Sequence, residues 1–386
     1  MNMETKIFTM THKKFIPPKD PIYVPLHVGR VSSADIGYLG DDTGESISGW
    51  NNYFGELTGV YWVWKNIQDV DIIGICHYRR YFLNQDRQFM NQQEYEDILK
   101  ENDIIVSNCA YTDMSYQEYY AEAHNVADLL TTGEVLKEKY PEYAPYFEAA
   151  LAGNRYYYGN LMVTSRQLFQ SYAAWLFDIL FEVQKRIDVS EYDLYNQRVF
   201  GFLSEQLLKV WIDKNQLKVY EGNVGITAEK AETVEFKLAM AQLIKLGDIT
   251  QASQMFYEYL KLRPDVRLEL SDIKGEIPTI EQLLYIAGQE QQRGIVGLMG
   301  YSRKLDEWLV HFNRVQQCLA HFACKQTLQE DIRYILDKNV SWVMAKVILL
   351  NTSEQVIADT GTALRILSGV YKEAGRDKDY VGLINF

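Results

Sequence analysis

The sequence predicts an α/β domain with a mostly parallel sheet over residues 1–227, followed by an all-α domain over residues 228–386. Three observations carry that prediction. Short apolar runs alternate with helical patterns through the first part of the chain, as strands joined by crossover helices do. Strand signals then nearly vanish beyond about residue 228, where helix follows helix. A length of 386 residues also exceeds one average domain, so two cores are the natural partition.

The elements follow in order. KIFTMTHK, residues 6–13, is the first strand, and the FIPPKDPIYVPL that follows holds prolines no helix interior tolerates. GYLGDDTGESISGWNNYFGELTG has the composition of a loop leading to a helix N-terminus, with Asn51 or Asn52 near the cap. Free backbone N–H groups there favour an anion or a sugar hydroxyl. Leu57, Val60, Tyr61 and Trp64 recur at i, i+3, i+4 and i+7, one face of a helix within residues 49–66. DIIGIC (71–76) and DIIVS (103–107) are short buried strands, and YYYGNLMVTS (156–165) is another. An amphipathic helix runs from Arg166 to about Arg186, and a second from about Tyr195 to Lys214 leads into QLKVYEGNVGIT, the last strand. In the tail, Gly247, Ala252, Phe256, Leu260 and Pro264 have the spacing of the second half of a tetratricopeptide repeat. A single half-repeat supports a helical domain, not an array.

Composition excludes some functions. With 39 basic and 52 acidic side chains, net −13, the chain is no generic nucleic-acid binder, which needs a broad cationic surface. Cys76, Cys109, Cys318 and Cys324 show no CxxC spacing and read as free thiols of a reducing compartment. The N-terminus lacks the apolar run of a signal peptide, and no stretch reaches the roughly 18 apolar residues of a membrane span. A cytoplasmic protein is expected. Twenty-eight tyrosines exceed ordinary packing demand, and a ring with an apolar face and a polar tip suits sugars as well as cores.

In open α/β sheets, ligands bind beyond the carboxyl ends of the strands. Thr11, His12 and Lys13 follow the first strand, while His77, Tyr78, Arg79 and Arg80 follow DIIGIC. Together they make a basic pocket suited to a diphosphate, since arginine gives bidentate bonds to phosphate oxygens and lysine adds a point charge. Ordinary pairing of Arg79 and Arg80 with surface carboxylates is the alternative. Asp41 and Asp42 read as turn residues in preference to cation ligands. His311, Cys318, His321 and Cys324 are metal-ligand types, but on one helix they spread over roughly 140° beside the Trp308, Phe312, Val315, Leu319 and Phe322 stripe, so they cannot converge on one ion. Asp113, Asp128, Asp193 and Glu205 are candidate general bases. Glu205 stands out because FGFLSEQLLKVW surrounds it with apolar residues, where desolvation makes a carboxylate unusual.

The ordered blocks THKKF, IYVPLHVG, GDDTGESIS, NNYFGELTGVYWVWKN, IIGICHYRRYF, RYYYGNLMVTSRQLF, AAWLFDILFEVQKRID and YNQRVFGFLSEQLLKVWI cover about residues 5 to 220. They resemble bacterial glycosyltransferases of capsule, exopolysaccharide and O-antigen clusters, a group that includes galactofuranosyltransferases. The resemblance implies a GT-A-like nucleotide-sugar fold and transfer of a sugar, galactofuranose being the one it points to, from a UDP donor to a growing cell-surface polysaccharide or lipid-linked oligosaccharide. It implies Thr11, His12 and Lys13 near the nucleotide, and Asn51, Asn52 and Glu56 near the donor. Gly159 and Asn160 would meet the transferred sugar or acceptor, with Arg198 and Glu205 at the catalytic end.

Many enzymes of that fold carry an Asp-x-Asp metal site where this chain reads His77-Tyr78-Arg79-Arg80. No metal ligands are assigned; Mn or Mg stays open without support from such a motif, and the cations are expected to neutralise the diphosphate directly. For an inverting reaction the expected base is Glu205 or Asp193, with Asp113 behind them. The alternative from another class is a non-catalytic scaffold whose helical tail binds partner proteins. Expected partners are thus the UDP-sugar, a glycan acceptor and, through the tail, glycan-assembly proteins, with docking at the inner face of the membrane; nucleic acid is not among them.

Overall fold

A computed structural model describes residues 3–267, 271–351 and 359–385. The chain divides into two compact units, Met1–Ala228 and Glu229–Phe386. In chain order the first contains β1 (Thr5–Thr11), β2 (Tyr23–His27), β3 (Leu39–Gly40), α1 (Asn51–Phe54), α2 (Leu57–Asn66), β4 (Ile72–His77), β5 (Arg80–Leu83), α3 (Gln92–Glu101), β6 (Ile104–Ser107) and β7 (Ala110–Tyr111). It continues with α4 (Tyr116–Ala123), α5 (Val126–Lys139), α6 (Ala144–Ala152), β8 (Arg155–Tyr156), β9 (Met162–Ser165), α7 (Arg166–Gln184), α8 (Val199–Asn215) and β10 (Val219–Ile226).

Strands β3, β2, β1 and β4 lie side by side and parallel. Beyond them β9 runs antiparallel between β4 and β6, β10 is parallel to β6, and β5 is antiparallel to both β10 and β4. The sheet is therefore mixed, which corrects the mostly parallel sheet the sequence predicts. The cause is local. Only Tyr78 and Arg79 separate β4 from β5, and so short a turn joins antiparallel strands alone. Moreover β7, two residues after β6, pairs with β8, so α4, α5 and α6 return the chain to the edge it left instead of crossing the sheet. The run YYYGNLMVTS is not one strand either: Tyr156 closes β8, and Gly159 and Asn160, with φ of 86° and 52°, turn the chain before β9. Four strands escape the sequence reading: β2 within the proline-bearing stretch, β5 after the first arginine of RRYF, and the two-residue β3 and β7.

Adjacent strand residues face opposite layers, as period-2 geometry requires. Phe8, Ile73, Ile75, Val106 and Met162 join a core with α2 and α4 to α8, whereas Ile7, Ile72, Cys76, Ile105 and Val163 pack with Tyr81 and Tyr95 on the other face. Burial on both faces explains why these strands read as unbroken apolar runs.

The second unit is helical: α9 (Ala231–Leu246), α10 (Ile249–Leu262), α11 (Glu276–Gln292), α12 (Gly297–Tyr301), α13 (Leu305–Ala323), α14 (Gln329–Asp337), α15 (Trp342–Asn351), α16 (Thr360–Glu373) and α17 (Asp377–Ile384). Its own core includes Trp308, Phe312, Val315, Leu319 and Phe322 of α13. His311 bonds the Tyr334 hydroxyl at 2.8 Å, whereas His321 and Cys318 meet the buried Asp331, so those side chains serve helix packing. Tyr257, Tyr285, Trp342 and Leu350 line a groove of about 550 Å³ along α10, α11 and α15. Among the described residues no helix is long and apolar enough to cross a membrane.

Candidate active site

Parallel pairing sets Met10 of β1 opposite His77 of β4, so both strands end at one edge. The Tyr78 N–H donates to the Met10 carbonyl at 3.0 Å, and the His12 and Tyr78 rings meet edge to face at 5.6 Å. The Thr11 hydroxyl donates to the Lys13 carbonyl at 2.6 Å and accepts the Lys13 N–H at 3.1 Å, folding the loop back on its strand. Arg79 is buried in the turn, with its carbonyl taking the Thr227 N–H at 2.9 Å, and Arg80 opens β5.

The turn at Gly159 and Asn160 is the hub of the site. The Gly159 carbonyl accepts from His77 Nε2 at 2.7 Å, which requires the proton on that nitrogen. The Gly159 N–H donates to Glu205 Oε1 at 3.0 Å. Buried Asn160 gives its amide to Glu56 Oε1 at 2.9 Å and to the Gly201 carbonyl at 3.2 Å, and its Oδ1 accepts from the Ser204 hydroxyl at 2.9 Å. Glu56 Oε2 lies 3.5 Å from Arg198 Nη2. Arg80 donates to the Tyr158 hydroxyl at 3.1 Å while its guanidinium sits 4.7 Å from that ring's centroid. Glycine suits 159, because φ is positive there and a Cβ would press on Arg80 Nη1 at 2.8 Å. Arg80 Nε is buried with no hydrogen-bond partner among the described residues.

Two carboxyl groups meet at this turn in opposite states. Burial, reinforced by the nearby Glu56 charge, pushes Glu205 up to about 8, against the pull of Arg80, the Gly159 N–H and Arg198. Burial also opposes ionisation of Glu56, but that carboxyl is held below the usual range, by His77 where the imidazole is protonated and by Arg198 and the Asn160 amide throughout. His77 itself is lowered, by burial first and then by Arg80 and Arg79, in spite of Glu56. The imidazole is therefore neutral near pH 7, and Arg198 and Asn160 are the partners that keep Glu56 ionised. One carboxylate fixed as an anion beside another that titrates near neutrality is a usable acid–base arrangement.

The other predicted residues have different surroundings. Asn51 and Asn52 open α1 directly behind its N-cap, Trp50, as expected; the Asn51 amide donates to the Gly55 carbonyl at 2.7 Å and to Thr58 Oγ1 at 3.2 Å, and Asn52 is exposed. Asp193 Oδ1 accepts the backbone N–H groups of Tyr195 and Asn196, each at 2.8 Å, as a turn carboxylate does. Asp113 is exposed after β7, and both oxygens of Asp128 accept the Tyr192 hydroxyl at 3.0 Å. Buried Asp41 accepts from the N–H groups of Gly29 and Arg30 and from the Ser48 and Thr58 hydroxyls, which fills both its oxygens. Among the described residues no three His, Cys, Asp or Glu side chains are grouped to hold a metal ion. Sequence reasoning overlooked Tyr158 and Ser204. The Tyr-Tyr-Tyr-Gly-Asn run signalled the first; nothing marked the second.

Residues 6–216 match the family described as "Domain of unknown function (DUF4422)". The chain is also similar to the apo structure of the WbbM bifunctional glycosyltransferase, at 28% identity and a TM-score of 0.55, over 58% of this chain and 46% of that one. It thus spans less than half of that neighbour's length. No curated protein matches.

Proposed function

The chain belongs to the DUF4422 family through residues 6–216, and on that premise we propose that it is a glycosyltransferase with a GT-A-like domain, moving galactofuranose from a UDP donor to a hydroxyl of a growing cell-surface polysaccharide or lipid-linked oligosaccharide. The likeness to a bifunctional glycosyltransferase supports the reaction class. The observation that carries the chemistry is the half-buried Glu205 carboxyl, which accepts the Gly159 N–H and whose pKa is raised to about 8.

In this reading Glu205 takes the proton of the acceptor hydroxyl as that oxygen attacks the anomeric carbon. The bond from that carbon to the diphosphate oxygen breaks on the opposite face, UDP leaves with the bonding pair, and the configuration inverts. Lys13, Arg79 and Arg80 supply positive charge to the departing diphosphate. The residues where a metal-binding Asp-x-Asp would stand are a histidine, a tyrosine and two arginines, a donor set that does not fit Mn or Mg, so no step runs through a metal. Asn160 and Arg198 hold the turn that faces the sugar. We place the reaction in the cytoplasm at the inner face of the membrane, where lipid-linked acceptors are reached.

The test is a panel of UDP-galactofuranose, UDP-galactopyranose and UDP-glucose, scored by UDP release and by thermal stabilisation. Acceptor-dependent release from the furanose donor, undiminished by EDTA, is expected, together with loss of saturable UDP binding in Arg79→Ala/Arg80→Ala. Activity abolished by EDTA and restored by manganese would sink the metal-independent step; absence of any nucleotide-sugar binding would sink the enzyme. The groove of about 550 Å³ in the second unit favours the adaptor reading for that unit, as the place for a glycan-assembly protein. Capture of such a protein with no UDP binding would make the adaptor role the whole function.

A further inference from the structure

The tyrosine excess of the sequence finds a place beside the turn that holds Glu205. Four rings gather there. Tyr158 lies under the Arg80 guanidinium and directly precedes Gly159, whose N–H bonds Glu205. Two residues earlier, Tyr156 meets both Tyr116 and Tyr119 with ring centroids 5.5 Å apart, and the Tyr156 and Tyr119 hydroxyls are 3.3 Å from each other. Tyr116 is buried, whereas Tyr119 is 38% exposed, so the group runs from the half-buried Glu205 to solvent.

We propose that Tyr158, Tyr156 and Tyr119, buttressed by Tyr116, form a preformed platform for the acceptor glycan, carrying successive sugar rings from the Glu205 carboxyl to the protein surface. The inference rests on the glycosyltransferase reading and names where its acceptor lies. Scattered exposed aromatics are ordinary. These differ in that Tyr116, Tyr119 and Tyr156 touch one another, Tyr158 adjoins the reactive turn two residues on, and the set is held rigidly. Ser115 and Glu118 form a reciprocal capping box at the start of α4, and the Tyr116 N–H donates to the Gly153 carbonyl at 2.7 Å. Pairing of Ala110 with Tyr156 then fixes β8 against β7. Burial and the neighbouring Tyr119 hydroxyl raise the Tyr156 phenol, with Glu205 contributing, so the ring stays neutral. Flat rings with few rotamers lose little entropy on binding, offer an apolar face to the C–H side of a sugar, and keep a hydroxyl for its polar edge. A saccharide satisfies both.

Pairing across β7 and β8 also supplies a control. Tyr111 lies opposite Arg155, one position along, and so faces the other side of the ribbon, although it is 67% exposed. The full chain is titrated with a galactan tetrasaccharide by saturation-transfer NMR, with UDP titrated in parallel. Tyr119→Ala should weaken tetrasaccharide binding by about five- to tenfold, Tyr119→Phe should stay within about twofold, and Tyr111→Ala should change nothing. UDP affinity should hold in all three. Equal tetrasaccharide affinity in Tyr119→Ala, an equal loss in Tyr111→Ala, or no tetrasaccharide binding by a chain that binds UDP overturns the platform alone. Loss of UDP binding by the unsubstituted chain overturns the parent reading with it.

Discussion

In the proposed mechanism Glu205 is the base, and three influences meet on its carboxyl: burial, the anionic Glu56, and a single backbone donor at Gly159. A base must be ionised to accept a proton, so kcat/KM should climb with pH through about 8 and level off above it. Glu205→Gln should cost about 100-fold or more in turnover and remove that inflection, read from the pH dependence of UDP release. Stability should move the other way. The folded value of about 8 lies above the 4.5 of the free side chain, so the favourable contribution is whole below pH 4.5 and is lost as pH rises through about 8. Glu205→Gln cannot ionise. Its melting temperature should therefore gain on the parent between pH 5 and pH 9, by about 2–4 °C for each ~1 kcal/mol of relieved burial. An unchanged difference across that range would show that Glu205 is not the group held protonated.

At the scale of elements, the loop between β2 and α2 is organised by one buried carboxylate. Asp41 ties the N–H groups of Gly29 and Arg30, at the end of β2, to Ser48 before α1 and to Thr58 within α2. Residues from segments far apart in the loop thus share one acceptor, and the loop delivers Glu56 to the site at the joint between the two helices. Asp41→Asn replaces an oxygen by a donor that faces other donors. It should destabilise the protein by about 2–4 kcal/mol, measured by urea unfolding, and should lower activity by displacing Glu56 even at temperatures where the chain stays folded. The β4–β5 turn shows the same economy of means. Because Tyr78 and Arg79 are all that separates the two strands, His77 and Arg80 end up on neighbouring strands, paired across the hairpin.

Over the whole molecule, apolar burial falls into separate cores. Two clusters sandwich the sheet of the first unit, and another fills the helical unit around α13. A fragment ending at Ala228 therefore contains a complete core and every residue of the candidate site. Expressed alone, residues 1–228 should unfold cooperatively in calorimetry and bind UDP within about twofold of the full chain. A fragment that is folded yet blind to UDP would assign part of the nucleotide site to the helical unit.

Buried strands announced themselves through unbroken apolar runs, and β1, β4 and β6 were legible for that reason. The carboxyl edge that gathers Thr11 to Lys13 with His77 to Arg80 was legible too, because β1 and β4 are parallel neighbours. Glu205 was suspect from its apolar setting alone. Strand direction was not legible: β5 and β9 run antiparallel because of a two-residue turn and a return along one edge, and neither leaves a mark in hydrophobic period. Nor could sequence separate Glu205 from Asp193, since both are carboxylates near the start of one helix. Buried segments and basic clusters could be read directly from the chain, since hydrophobicity and charge belong to each residue. Which carboxyl has its pKa raised and which tyrosine rings meet follows instead from the fold, because desolvation and ring contact arise between residues distant in the chain.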